Sequence, residues 1–183
     1  QPGENAFSWD FPMQNPVYWC PDNPHLYELR LFDRQGNCLG KERFGFRDFK
    51  SDVKGFYMNG QKMVLKGTQW NSINYRAKAT GFIEPLKPGE PLLTSNKRYY
   101  FAYLKGLKEA GVNCIRTHSD TKHRGRDLFE VCDEVGILHY DDWSTDSSRL
   151  NAKTENPSAN MAGQLQYFER WLYFIYNHPS SVM

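Results

Sequence analysis

Three short clusters in this chain carry side chains suited to holding a hydroxyl-rich molecule. They are Thr68-Gln69-Trp70-Asn71-Ser72-Ile73-Asn74, Arg116-Thr117-His118-Ser119-Asp120 and Asp141-Asp142-Trp143-Ser144, each at the end of an apolar run. Carboxylates and amides exchange hydrogen bonds with hydroxyls, a guanidinium grips a carboxylate, and a tryptophan face covers an apolar ring. Asp141 and Asp142 in isolation suggest acid/base chemistry, but neighbours on a strand point to opposite faces and do not converge on one bond. Arg116 reads either as a guanidinium aimed at a ligand or as half of an ion pair with Asp141 or Asp120. His118 reads equally as a ligand-binding and as a core histidine, and Trp70 and Trp143 as ring platforms or as buried packing.

The elements that must position these clusters change character along the chain. Leu26 to Phe32 alternates apolar and polar residues, as a half-buried strand does; Asp33 to Asn37 is a turn, and Cys38 to Phe46 returns as a second strand. Two or three strands cannot close a sandwich, so residues 1–48 read as the tail of one. Phe49 to Val64 reads as a hairpin turning at Asn59-Gly60, since both residues tolerate positive φ. Then strands alternate with helices. Met63–Gly67, Val112–His118 and Ile137–Trp143 read as strands; Arg98–Ala110, Arg126–Val135 and Gln164–Tyr176 read as helices. Tyr100, Tyr103, Leu104 and Leu107 share one face of the first helix, and Leu165, Phe168, Leu172 and Ile175 share one face of the third. Gly111 and Gly136 stand where the first two helices should stop. This order implies a parallel sheet with its polar clusters at the carboxyl ends of the strands, as in a (β/α)8 barrel. The expected fold is therefore an α+β multidomain fragment: a β-sandwich tail, then the first three βα units of a barrel over residues 49–183.

Composition excludes some partners. The 23 Lys+Arg against 21 Asp+Glu leave a net charge of +2, too little to imply nucleic acid. No apolar run nears the roughly 18 residues of a membrane span. Cys20, Cys38, Cys114 and Cys132 lack CxxC pairing and ligand spacing, and His123 sits between Lys122 and Arg124, so neither a disulfide framework nor a metal site is expected. His139 reads as a core residue, and His178 as a turn residue bracing the next strand. No cofactor is expected, and the compartment stays open between cytoplasm and periplasm or exterior.

The motifs together resemble glycoside hydrolase family 2. F-G-F-R (Phe44 to Arg47), F-Y-M-N-G-Q-K-M-V-L-K-G (Phe56 to Gly67), K-E-A-G-V-N-C-I-R (Lys108 to Arg116), C-D-E-V-G-I-L (Cys132 to Leu138) and N-H-P-S (Asn177 to Ser180) occur in the family's order. K-G-T-Q-W-N-S-I-N is similar to the K-G-x-N-W-x-P-x-D of the β-mannosidase-like branch, and the sixteen-residue step from Arg116 to Cys132 resembles that branch's spacing. The histidine-rich N-R-H-E of β-galactosidases is missing. The chain departs from the branch at His118, where a tryptophan is usual, at Asn74, where an aspartate is usual, and in the stretch Gly81 to Thr94.

The resemblance implies a retaining exo-β-glycosidase acting in carbohydrate metabolism, with two glutamates working about 5–5.5 Å apart through a glycosyl-enzyme intermediate. It places both after Met183, so no catalytic residue is assigned here. Trp70, Asn74, Arg116, His118, Asp142 and Trp143 are the expected substrate-binding residues, with Arg116 orienting the nucleophilic carboxylate. Two alternatives stay open: a β-galactosidase or β-glucuronidase of the same family, and a non-catalytic carbohydrate-binding module. Expected partners are a carbohydrate and the remainder of the same polypeptide, with no nucleic acid and no membrane; self-association is left open.

Overall fold

A computed structural model describes residues 10–70, 92–118, 126–142 and 165–182, the last range without 167 and 174. Strands β1 (Tyr27–Phe32) and β2 (Cys38–Phe44) form an antiparallel ribbon. Asp33 organises its turn: Oδ1 accepts the backbone N–H of Gln35 at 2.9 Å and of Asn37 at 2.7 Å, and Gly36 supplies φ +88°. The alternation expected of a half-buried strand is present, but Leu29, Leu31 and Leu39 remain 55%, 50% and 64% exposed. Among the described residues nothing covers that face, because a two-stranded ribbon has no second layer of its own.

β3 (Phe49–Asp52), β4 (Gly55–Met58) and β5 (Gln61–Met63) form an antiparallel meander. Its second turn is Asn59-Gly60, with φ +52° and +79°, as the sequence predicts. β6 (Gly67–Trp70), β7 (Cys114–His118) and β8 (Leu138–Asp142) then pair in parallel, in chain order. The strand expected over Met63–Gly67 is not formed as one piece. Met63 ends the meander, Gly67 opens the parallel sheet, and Asn113 holds the break: its Oδ1 accepts Lys66 N–H at 2.8 Å and its Nδ2 donates to Val64 O at 2.8 Å. Asn113→Ala should cost about 1–2 kcal/mol in a urea titration, since both bonds are partly open to water. An unchanged midpoint would show that the break holds without it.

Helix α1 (Leu92–Glu109) begins before the expected Arg98 and stops at Gly111, whose φ is +85°. α2 (Asp127–Val135) stops at Gly136, φ +77°, whose N–H bonds Cys132 O at 2.9 Å. A third helix, α3, takes in the described residues 165–166, 168–173 and 175. Tyr100 and Leu104 of α1 pack with Leu128, Val131, Cys132 and Val135 of α2 against Ile115, while Tyr103 is 41% exposed, off that face. On α3, Trp171 and Ile175 pack on Phe129, whereas Leu165 is 58% exposed at the first turn, where no neighbouring described element reaches it. No described helix is long and apolar enough to cross a membrane.

The sheet is covered on both faces. Ile115 meets the helices; Cys114, Leu138 and Val182 face the other way, under Trp19 and Met58. Leu138 is fully buried there by the meander and by Trp19, which reaches over from the N-terminal segment. Beside β8 the chain adds one isolated parallel bridge, Ser181 opposite His139. His139 N–H bonds Ser180 O at 2.7 Å and Val182 N–H bonds His139 O at 2.9 Å.

All four cysteines are free, with Cys38 exposed and Cys114 and Cys132 buried. Burial pushes the Cys114 thiol up to about 11, and burial lifts Cys132 well above 9.0. A thiol reagent should therefore label Cys38 quickly and these two only on unfolding; rapid native labelling of Cys114 would contradict the packing. The folded state keeps protons that the unfolded chain loses, so stability from these thiols is intact below pH 9.0 and falls progressively toward pH 11.

Candidate functional site

Parallel pairing brings the expected polar clusters to one edge. Trp70, His118 and Asp142 are the final residues of β6, β7 and β8, and the register joins Trp70 to Thr117, Thr117 to Asp141 and His118 to Asp142. The sequence places Trp70 beyond its strand; with β6 starting at Gly67 it closes the strand instead. For these three residues the backbone is described, and Asn74 and Trp143 lie outside the described residues.

Arg116 is the one expected site residue whose side chain is described. Strand alternation puts it on the helix-free face with Cys114, away from Ile115 and Thr117, which are buried toward the helices. Across the sheet it is flanked by Gln69 and Tyr140, its register partners in β6 and β8. All three line a cleft of about 510 Å³ floored by Leu65 and Cys114 and walled by Phe49 and Phe56 of the meander. A cationic fork, an amide and a phenol over an apolar floor can hold a carboxylate and hydroxyls above a ring. Gln69 and Tyr140 were legible only through the period of two that carries Arg116; the aromatic wall was not, because it comes from a different sheet.

Thr117 and His139 turn away from the cleft. Thr117 Oγ1 lies 2.8 Å from His139 Nε2, and the His139 ring meets Phe129 edge-on at 4.6 Å, so His139 is a core residue as expected. His178 is buried too, and its expected bracing role has a partner that sequence reasoning missed. Asp133 of α2 places Oδ2 2.5 Å from His178 Nδ1, and its Oδ1 accepts Ser180 N–H at 3.0 Å. The available signal was position: Asp133 follows Phe129 by four residues and so shares its buried stripe.

A charge cluster ties the ribbon to the helices. Arg43 of β2 lies 2.6 Å from Glu134, Lys97 of α1 lies 2.8 Å from Glu130, and Arg126 pairs with both Glu42 and Glu130. Burial works to raise Glu130, but the Lys97 hydrogen bond and the charges of Lys97, Arg43 and Arg126 outweigh it and hold the carboxyl low. Stability from this cluster is therefore present above the ordinary pKa of 4.5 and is lost as pH falls below it.

No family model matches the chain. It is 26% identical over 157 residues to a β-galactosidase of Halalkalibacterium halodurans, covering 82% of this chain and 14% of that enzyme. It is 30% identical over 129 residues to a β-galactosidase of Thermoanaerobacterium thermosulfurigenes, covering 68% of this chain and 16% of the relative. The chain thus spans about a seventh of the length of these curated relatives. Among solved structures, it superposes on a family 2 β-galacturonidase from Eisenbergiella tayi with TM-score 0.62 at 22% identity, over 95% of this chain and 28% of that one. A β-D-mannosidase from Dictyoglomus thermophilum gives TM-score 0.61 at 24% identity, over 93% of this chain and 20% of that one. Motif order, sequence likeness to β-galactosidases and the fold shared with family 2 structures together support reading the chain as a fragment similar to glycoside hydrolase family 2.

Proposed function

We propose that the polypeptide carrying this segment is a retaining exo-β-glycosidase that removes terminal β-linked sugars, and that residues 49–183 form the first part of its (β/α)8 barrel behind a sandwich tail at 1–48. The observation that carries the reading is Arg116. It lines the helix-free cleft beside Gln69 and Tyr140, near the strand edge shared by Trp70, His118 and Asp142. In a parallel barrel that edge is where substrates bind. Trp70, Asn74, His118, Asp142 and Trp143 complete the sugar-binding set, and Arg116 orients the attacking carboxylate through charge-assisted hydrogen bonds.

The finer substrate assignment is β-mannosidase-like, supported by K-G-T-Q-W-N-S-I-N. The β-galactosidase reading has its own support in the names of the curated relatives. Both are tested by assaying the complete polypeptide on nitrophenyl β-mannoside, β-galactoside and β-glucuronide. We expect one of these to be cleaved with retention of anomeric configuration, and Arg116→Met to lower kcat/KM by about a hundredfold or more through misplacement of the nucleophile. Residues 1–183 alone should give no turnover, because the resemblance puts both glutamates after Met183. Failure of the complete polypeptide to cleave any β-glycoside while still binding sugars would leave the binding-module reading.

A further inference from the structure

The parallel bridge at Ser181 is held from three directions by groups far away in sequence. Asp133 takes His178 Nδ1 at 2.5 Å and Ser180 N–H at 3.0 Å. Arg47, just after β2, donates from Nη2 to Ser181 O. Gly45 lies so close under Pro179 that a Cβ there would stand 2.9 Å from the proline Cγ. Burial lowers the pKa of the half-buried Arg47 guanidinium, and the charges of Asp133 and Asp48 offset part of that cost, so the Asp133 clamp supports the Arg47 clamp. Ser180 and Val182 then make the sheet bonds to His139.

From this geometry we infer that Asp133 and Arg47 are positioning residues that set the register of the segment bridged to β8 at Ser181. A parallel strand slipped by one residue exchanges its two faces, so register decides which side chains point into the cleft. Two backbone groups at adjacent residues, Ser180 N–H and Ser181 O, are fixed by charged side chains from α2 and from the segment after β2. Neither Asp133 nor Arg47 lines the cleft. Their effect on chemistry would pass entirely through that segment, and that part of the inference rests on the glycosidase reading.

Hydrogen exchange and kinetics on the complete polypeptide test it together. In Asp133→Ala and Arg47→Met, amides of the peptide spanning 177–182 should exchange about tenfold faster or more, from loss of hydrogen bonds to a charged group, while those of β7 hold their protection. Asp133→Asn, which keeps an acceptor for Ser180 N–H, should recover part of that protection. With the glycosidase reading correct, kcat should fall at least about tenfold with KM nearly constant, as when a reacting group is displaced without loss of ground-state binding. If a variant does not fold, Asp133→Asn and Arg47→Lys carry the comparison. Unchanged exchange over 177–182 in both positions overturns the inference, as does a loss of protection spread evenly over the sheet. An unmodified polypeptide without glycosidase activity overturns the functional reading alone, and the exchange result still decides on the register.

Discussion

Gly136→Ala should be among the most damaging single substitutions in this chain, lowering stability by about 2–5 kcal/mol. Two costs combine. The residue occupies the left-handed region at φ +77°, which an L side chain enters at a cost of about 1–2 kcal/mol. The added Cβ would also stand 2.3 Å from Pro21 O and 2.6 Å from Lys108 Nζ. Relieving that overlap means displacing the backbone near Pro21 or the Lys108 ammonium, which donates to Val135 O at 2.6 Å at the end of α2, and such overpacking costs about 1–3 kcal/mol more. Gly106→Ala is the control. Gly106 lies inside α1, and an added Cβ there would meet nothing within 4 Å, so alanine should stabilise by about 1 kcal/mol. Urea midpoints of the two variants should move in opposite directions. Equal midpoints would mean that alanine at 136 is tolerated without the strain its φ implies.

Trp19→Ala should cost about 3–5 kcal/mol, the range for emptying a buried aromatic site. Trp19 is fully buried against Met58, Cys114, Leu138 and Val182, and its indole N–H bonds Asp133 O at 2.9 Å. Its own backbone is held at both ends, by N–H to Phe46 O at 2.7 Å and by Asn59 Nδ2 to its carbonyl at 3.0 Å. One side chain therefore joins the N-terminal segment, the meander and the start of the parallel sheet. Trp19→Phe keeps most of the apolar volume but leaves Asp133 O without the indole donor, and should cost clearly less than Trp19→Ala. Thermal unfolding of the pair separates packing from hydrogen bonding; equal losses in the two variants would assign the effect to the indole N–H.

Much of the meander and of the parallel part was legible because their signals are local. Gly111 and Gly136 stop helices through their own φ, Asn59-Gly60 closes its own turn, and the apolar stripe of α2 is complete within nine residues. Error entered where a neighbour from afar decides. Leu65 has the apolar character of a strand residue, yet Asn113, on the other side of α1, determines that the ladder begins at Gly67. Tyr103 fits the helical period but falls beside the stripe that Leu104 and Tyr100 bury. Ile115 and Leu138 are both apolar residues of expected strands, yet register sends them to opposite faces, each covered by a different set of neighbours. For the site, period two was enough to aim Arg116, while the Asp133–His178 contact spans 45 residues and has no local signature beyond an acid on an apolar stripe.

The route taken by Arg47 and Trp19 bears on how such a polypeptide can be divided or recombined. A cut placed at the change of texture near Phe49 looks clean along the chain, yet it would carry away the donor to Ser181 and the lid over Leu138. A transplanted parallel sheet would then arrive with an open apolar end and a loosened bridge at Ser181. The exchangeable module accordingly reaches back to about Tyr18, whose bridge to Phe46 marks where the borrowed segment begins.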